Sequence, residues 1–189
     1  KNVLGGLCFV AATRVQPAQV EVYFTGSIRI AEPSSPPLGR TEKIATLFKQ
    51  AGIPCETAES FDLIVWKKLV WNIPFSGLAV AANTTTDVIM ADDALRAQAH
   101  ALMEEVRAAA QARGLAIDEN FLHSQMDSTL KLGAYAPSAL IDYRKGRALE
   151  VDSIWGEPLR RAEQAGVQTP RLSLLTALLK RLSANKGGC

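Results

Sequence analysis

Apolar and polar positions alternate at the start of the chain and then change rhythm. Residues 3–15 (VLGGLCFVAATRV) and 19–30 read as β-structure. Val20, Val22 and Phe24 share one face of an extended chain, because successive side chains point to opposite sides. Ile28 and Ile30 follow after Thr25-Gly26-Ser27, a pattern that predicts a hairpin turning at Gly26. The run from Pro33 to Gly39 (PSSPPLG) can continue neither helix nor strand and reads as a loop. Thr41 is the expected cap of a helix, TEKIATLFKQAG, with Ile44, Leu47 and Phe48 at i, i+3 and i+4 and a stop at Gly52. Ile53 to Glu59 is a short extended piece holding Cys55.

From Ser60 onward the period is helical. A long amphipathic helix is predicted from Asp92 to Arg113, another from Glu119 to Leu132, and a segment starting near Ser138. A further helix covers about Leu149 to Ala165. Thr169-Pro170 opens the last one, with Leu172, Leu175, Leu178, Leu179 and Leu182 as a core or dimer stripe. The expected organisation is therefore a β/α piece over residues 1–59, a helical domain over 60–185 and a tail at 186–189.

The most informative stretch is SFDLIVWKKLVWNIPFSGLAVAANTTTDVIM, Ser60 to Met90. Ser60 is placed to cap a helix, and Asp62 suits the positive end of its dipole. A helix this apolar should be buried on most sides, yet it carries Lys67, Lys68, Asn72 and Ser76. Lys68, Asn72 and Ser76 are spaced i, i+4, i+8, which stacks an ammonium, an amide and a hydroxyl along one face. Buried polar groups without partners are costly, so either the protein or a ligand answers them. The plain alternative is that the lysines run to solvent along their aliphatic stems and Asn72 satisfies nearby backbone. Pro74 has no N–H and its ring crowds the carbonyl of Val70, so a kink or break is expected there.

A second stretch runs from Ser138 to Gly156. Glu150 stands where a helix begins, which favours its negative charge; it reads equally as a helix-terminal charge paired to Arg147 or solvated, and as a site residue. Gly156 inside a helix costs about 1 kcal/mol against alanine and predicts a packing reason, such as close approach of another helix.

Composition narrows the field. The net charge is +2 and no run is rich in lysine or arginine, so no nucleic-acid surface is expected. LIVWKKLVW is broken by two lysines, so no uninterrupted apolar run reaches the length of a membrane span. The three cysteines, Cys8, Cys55 and Cys189, lack metal-ligand spacing and read as free thiols in a reducing compartment, with a cytoplasmic location and no metal site expected. The chain opens on Lys1 and enters a strand-like run at once, as expected for a piece of a longer protein.

Two separated segments together resemble the C-terminal domain of ketopantoate reductases (2-dehydropantoate 2-reductases). The first is W-x-K-L-x-x-N, here Trp66-Lys67-Lys68-Leu69-Val70-Trp71-Asn72. The second comprises Ser138, Asp142, Gly146, Arg147, Leu149-Glu150-Val151-Asp152, Gly156 and Gly166-Val167-Gln168-Thr169-Pro170. The opening KNVLGG, the two-strand segment and TEKIATLFKQAGI resemble the end of the family's nucleotide-binding domain. The resemblance implies a mainly α fold: an all-helical C-terminal domain like that of 6-phosphogluconate dehydrogenase, preceded by a small β/α remnant of a Rossmann domain. It implies NADPH-dependent reduction of a 2-keto acid, 2-dehydropantoate to pantoate in pantothenate biosynthesis. No G-x-G-x-x-G follows a strand, so the cofactor's phosphate-binding half is not expected in these residues, and the chain alone is expected to be inactive.

By resemblance, Lys68 is the general acid. Hydride transfer to a ketone carbon develops charge on oxygen, which a positioned ammonium both stabilises and protonates. Asn72, Ser76 and Ser138 are the implied substrate contacts, and Glu150 is implied to orient substrate hydroxyl or cofactor groups. The family usually carries Asn where Ser76 stands and often Asn where Tyr135 stands. Those departures motivate a second expectation, a related oxidoreductase acting on another keto acid or an imine. The leucine-rich last helix motivates a third, a helical interaction module, with a possible homodimer.

Overall fold

The computed structural model describes residues 3–33 and 36–184. The expected tail at 186–189, with Cys189, lies outside the described residues. The chain parts into two compact units, Lys1–Lys68 and Leu69–Cys189, so the division falls inside the first long helix after Ser60.

In the first unit, β1 (Gly5–Gln16) and β2 (Gln19–Ala31) pair antiparallel, and β3 (Cys55–Thr57) lies parallel to β2, giving the order β1-β2-β3. Helix α1 (Gly39–Gln50) connects β2 to β3. A small core gathers Ile30, Ala45 and Cys55, with Leu4, Ile28, Ile44 and Phe48 against it. The hairpin turns at Pro17-Ala18 and not at Gly26. Proline pre-sets the first turn position, and Ala18 takes the positive φ of 63° that the next one requires. Gly26 instead lies within β2, where the ladder steps from Phe9↔Ser27 to Ala11↔Phe24. Its φ is +63°, and a Cβ there would sit 1.4 Å from the Phe9 carbonyl oxygen, so this bulge demands glycine.

Helix α1 starts at Gly39, ahead of the expected cap Thr41. The Thr41 hydroxyl accepts the Leu38 N–H at 3.2 Å and donates to Glu32 Oε1 at 2.5 Å. Arg40 Nε donates to the same carboxylate at 2.9 Å, and its Nη2 pairs with the other oxygen. The Arg40 guanidinium, then the Thr41 hydroxyl, hold the buried Glu32 carboxyl well below the usual range, at about 2.

Helix α2 (Phe61–Trp71) opens as the sequence predicts, with Ser60 Oγ accepting the Leu63 N–H at 3.2 Å. The helix does not break at Pro74. It widens into a π turn over Asn72–Ser76 and continues as α3 (Gly77–Ala82). The physical reason is that Pro74 offers no N–H to the Val70 carbonyl, and a wider turn absorbs the missing rung. Helices α4 (Thr86–Ala91), α5 (Asp93–Gln111), α6 (Glu119–Leu132) and α7 (Ser138–Arg144) follow. A second π turn, Asp152–Gly156, leads into α8 (Glu157–Gln164), and α9 (Pro170–Ala184) ends the described chain.

Capping follows the sequence. Asp92 accepts the Leu95 N–H at 2.9 Å and Asp118 the Phe121 N–H at 2.8 Å. The buried Glu105 of α5 receives the N–H groups of Arg171 and Leu172 at the start of α9. On α9, Leu172, Leu175 and Leu179 are buried while Leu178 is exposed, so the leucine stripe is mostly core. The close helix approach expected at Gly156 occurs at Gly77 instead. A Cβ on Gly77 would lie 2.6 Å from Leu175 Cδ2 of α9, whereas one on Gly156 would meet Asp152 and Arg160 of its own segment. The continuous helical stretch Phe61–Ala82, 22 residues, is long and apolar enough by composition to cross a membrane although Lys67 and Lys68 interrupt its apolar run; 56% of its most apolar window is buried inside the fold, as in a core helix.

Candidate functional site

Lys68 belongs to the first unit and lies in the last turn of α2. It is half-buried, and its Nζ donates to the carbonyl oxygen of Cys8 at 3.1 Å. Cys8 stands opposite Ile28 in the β1/β2 ladder, but the Ile28 N–H turns to the Pro54 carbonyl at 2.8 Å. The pair is thus a non-hydrogen-bonded one, and the Cys8 carbonyl faces outward from the sheet. Lys68 is tied to backbone and does not simply run to solvent. An ammonium has three N–H donors, so it can hold this carbonyl and still serve a substrate oxygen.

In the second unit, Asn72 opens the first π turn and is half-buried, while Ser76 closes it and is buried. The wider winding takes the stretch off the regular i, i+4, i+8 column and leaves Ser76 enclosed. Helix α7, with Ser138 at its first position, packs against this π turn and against α3. The second π turn, which follows Glu150 closely, packs against the first. The indole N–H of buried Trp155 donates to the Ile73 carbonyl at 3.0 Å, joining the two. The elements carrying Asn72, Ser76, Ser138 and Glu150 therefore meet, with Ser138 and Glu150 exposed. Arg147 turns to Asp142 at 3.1 Å and not to Glu150. Glu150 lines an open groove of about 600 Å³ with Asp152, Ser153, Lys180 and Ser183, where Lys180 Nζ is 3.5 Å from Asp152. Asn72, Ser76 and Ser138 do not line that groove.

Tyr135 is buried, 6.2 Å from the Trp71 ring centroid to centroid. Its backbone is held by Thr86, whose N–H donates to the Tyr135 carbonyl at 3.0 Å and whose hydroxyl donates to Gly133 at 2.8 Å. Thr86 thus fixes the loop that precedes Ser138, a role invisible in the sequence. Trp155 is equally silent there, because an indole inside an apolar helix reads as core. The Cys8 carbonyl gives no signal at all, since every residue has one.

Among the described residues no group of three or more His, Cys, Asp or Glu side chains could hold a metal. Among the described residues no glycine-rich strand-to-helix turn is present to cradle the phosphates of the implied NADPH. The connection into α1 begins with Glu32, whose carboxylate is taken up by Arg40 and Thr41, and the one into α2 is Ala58-Glu59-Ser60 without glycine. Cys8 and Cys55 are free thiols, exposed and buried respectively; burial pushes the Cys55 thiol pKa up.

Residues 60–183 match the family described as Ketopantoate reductase PanE/ApbA C terminal. The chain belongs to the ketopantoate reductase family. It is 38% identical over 186 residues to a 2-dehydropantoate 2-reductase of Nostoc sp., covering 96% of this chain and 58% of that protein. The crystal structure of a 2-dehydropantoate 2-reductase from Geobacter metallireducens superimposes with a TM-score of 0.89 at 36% identity, covering 94% of this chain and 60% of that one. A ternary structure of D-mandelate dehydrogenase with NADH and anilino(oxo)acetate has a TM-score of 0.86 at 19% identity, over 98% of this chain and 62% of that one, and shows the fold alone. The chain therefore spans about three-fifths of the length of these relatives. The mainly α fold, a helical domain behind a small β/α unit, agrees with the family.

Proposed function

We propose that this chain is the substrate-handling part of an NADPH-dependent 2-keto-acid reductase, acting most directly on 2-dehydropantoate to give pantoate. The observation that carries the reading is Lys68, a half-buried residue whose ammonium is held by a backbone carbonyl, on the helix that carries the family's W-x-K-L-x-x-N. NADPH, bound by a nucleotide-binding half outside these residues, supplies hydride to the keto carbon. Lys68 gives a proton to the oxygen that gains the electron pair, so a C–H and an O–H bond form as the C=O π bond is lost. Asn72 and Ser138 orient the substrate's polar groups. Glu150, exposed on its groove, orients substrate hydroxyl or cofactor groups. A cytoplasmic location accompanies this reading.

In the enzyme assembled with its nucleotide-binding half, Lys68→Ala lowers kcat for ketopantoate-dependent NADPH oxidation by about 100-fold or more. An unchanged kcat removes Lys68 from the chemistry.

One observation favours a second substrate. Ser76 is enclosed and Tyr135 packs on Trp71, so neither presents the amide that the family usually has at these positions. A panel of 2-keto acids decides between the two; ketopantoate turned over as well as the best member excludes the second. The chain also carries Leu174 and Leu178 exposed on α9, which supports a homodimer. A related reductase from Staphylococcus aureus is named as dimeric. Light scattering of the chain at a monomer mass rejects that assembly.

A further inference from the structure

We propose that the Cys8 main-chain carbonyl, held at the outer edge of β1 beside the Gly26 bulge, is the positioning group for the Lys68 ammonium. The inference rests on Lys68 being the general acid. Three observations converge on it. Among the described residues β1 is the edge of its sheet, so its outward carbonyls have no strand partner. The Cys8 carbonyl is one of these, because Cys8 opposes Ile28 at a pair whose partner N–H goes to Pro54. Lys68 Nζ donates to it at 3.1 Å.

The bulge fixes where that carbonyl lies. Gly26 approaches so closely that a Cβ would sit 1.4 Å from the oxygen of Phe9, the residue next to Cys8. Bulges bend the strand and re-aim what lies beside them. That oxygen belongs to the peptide immediately following the one that holds the Cys8 carbonyl, so the close approach at glycine acts on the neighbouring peptide. Lysine's long stem is otherwise flexible. Anchoring one N–H confines the other two to a cone about the Nζ–O axis, and one of them is the proton offered to the substrate. The carbonyl is a positioning group and not a catalytic one, since it touches no substrate.

The chain has three cysteines, so labelling cysteine carbonyls with carbon-13 yields three signals, and Cys8→Ala identifies the one at Cys8. In the 189-residue chain, Lys68→Met is expected to move the Cys8 signal upfield and leave Cys55 in place, while Lys67→Met moves neither. A Cys8 signal unmoved by Lys68→Met overturns the proposal whatever the enzyme's rate. Gly26→Ala, if folded, is expected to displace the Cys8 signal. In the assembled enzyme it should lower kcat by about tenfold while KM for the keto acid changes by less than about threefold. A displaced signal with unchanged kcat overturns the positioning role, and an undisplaced signal overturns the part assigned to the bulge. Lys68→Met with full kcat instead overturns the general-acid reading, and leaves the carbonyl measurement to stand or fall by itself.

Discussion

The twelve largest fully buried side chains among the described residues, Trp155 and Phe75 foremost, all belong to the second unit. In the first unit the buried cluster is Ile30, Ala45 and Cys55, while Val10, Val20, Val22 and Phe24 of the hairpin are each more than half exposed. Both units are rich in apolar residues; the first also buries Ala31, Ile64 and Trp66, and the second buries more and larger ones. Burial contributes about 25 cal/mol per Å² of apolar surface, so the second unit has the larger source of stability. The first depends more on local devices: the Glu32–Arg40–Thr41 cluster, the Pro17-Ala18 turn and the Gly26 bulge. The candidate acid Lys68 is the last residue of the first unit, next in sequence to the densely packed second one.

Three perturbations test that contrast. The largest effect is expected from Trp155→Ala, which removes a fully buried side chain and the N–H held by Ile73. It should cost about 3–5 kcal/mol, read as lost hydrogen-exchange protection in 69–184. Protection unchanged in 69–184 would contradict this placement of the effect. Acid should act on the first unit. The Glu32 carboxyl is lowered to about 2, so its contribution is complete above the ordinary carboxylate range and disappears as pH falls through about 2. Glu32→Gln should therefore destabilise the first unit at neutral pH and flatten its acid transition, followed by exchange in β2 and α1. The smallest effect is expected from Ala18→Gly. Relief of a positive φ at a non-glycine residue should raise stability by roughly 0.5–1 kcal/mol, measured as a higher denaturation midpoint. A lower midpoint would contradict the turn geometry.

Much of the fold is legible in the sequence because helical period and capping are local. Ser60, Asp92 and Asp118 each cap where the pattern of apolar residues begins. The turn position is not, because Thr25-Gly26-Ser27 and Pro17-Ala18 are both turn-forming, and alternation cannot tell a glycine that reverses a strand from one that bulges it. Pro74 stands out as a disturbance, but whether a helix breaks or widens depends on what packs around it, here Trp155 on the Ile73 carbonyl. The candidate site is legible in its side chains and illegible in its backbone. Lys68 and Asn72 stand out by chemistry and spacing, and Ser138 and Glu150 only through the resemblance. The enclosure of Ser76 follows from a turn that no single residue encodes.

The Lys68–Cys8 hydrogen bond has a second consequence, for solubility. An exposed strand edge with open carbonyls is a template for adding a foreign strand, and lysines along such edges discourage it. Lys68 occupies one outward carbonyl of β1, and the register shifts beyond Phe9 keep the rest of the hairpin from presenting a flat ladder. Among the described residues the ammonium that the proposed chemistry requires also covers part of this open edge, and Lys68→Met should make the 189-residue chain more prone to self-association as its concentration rises.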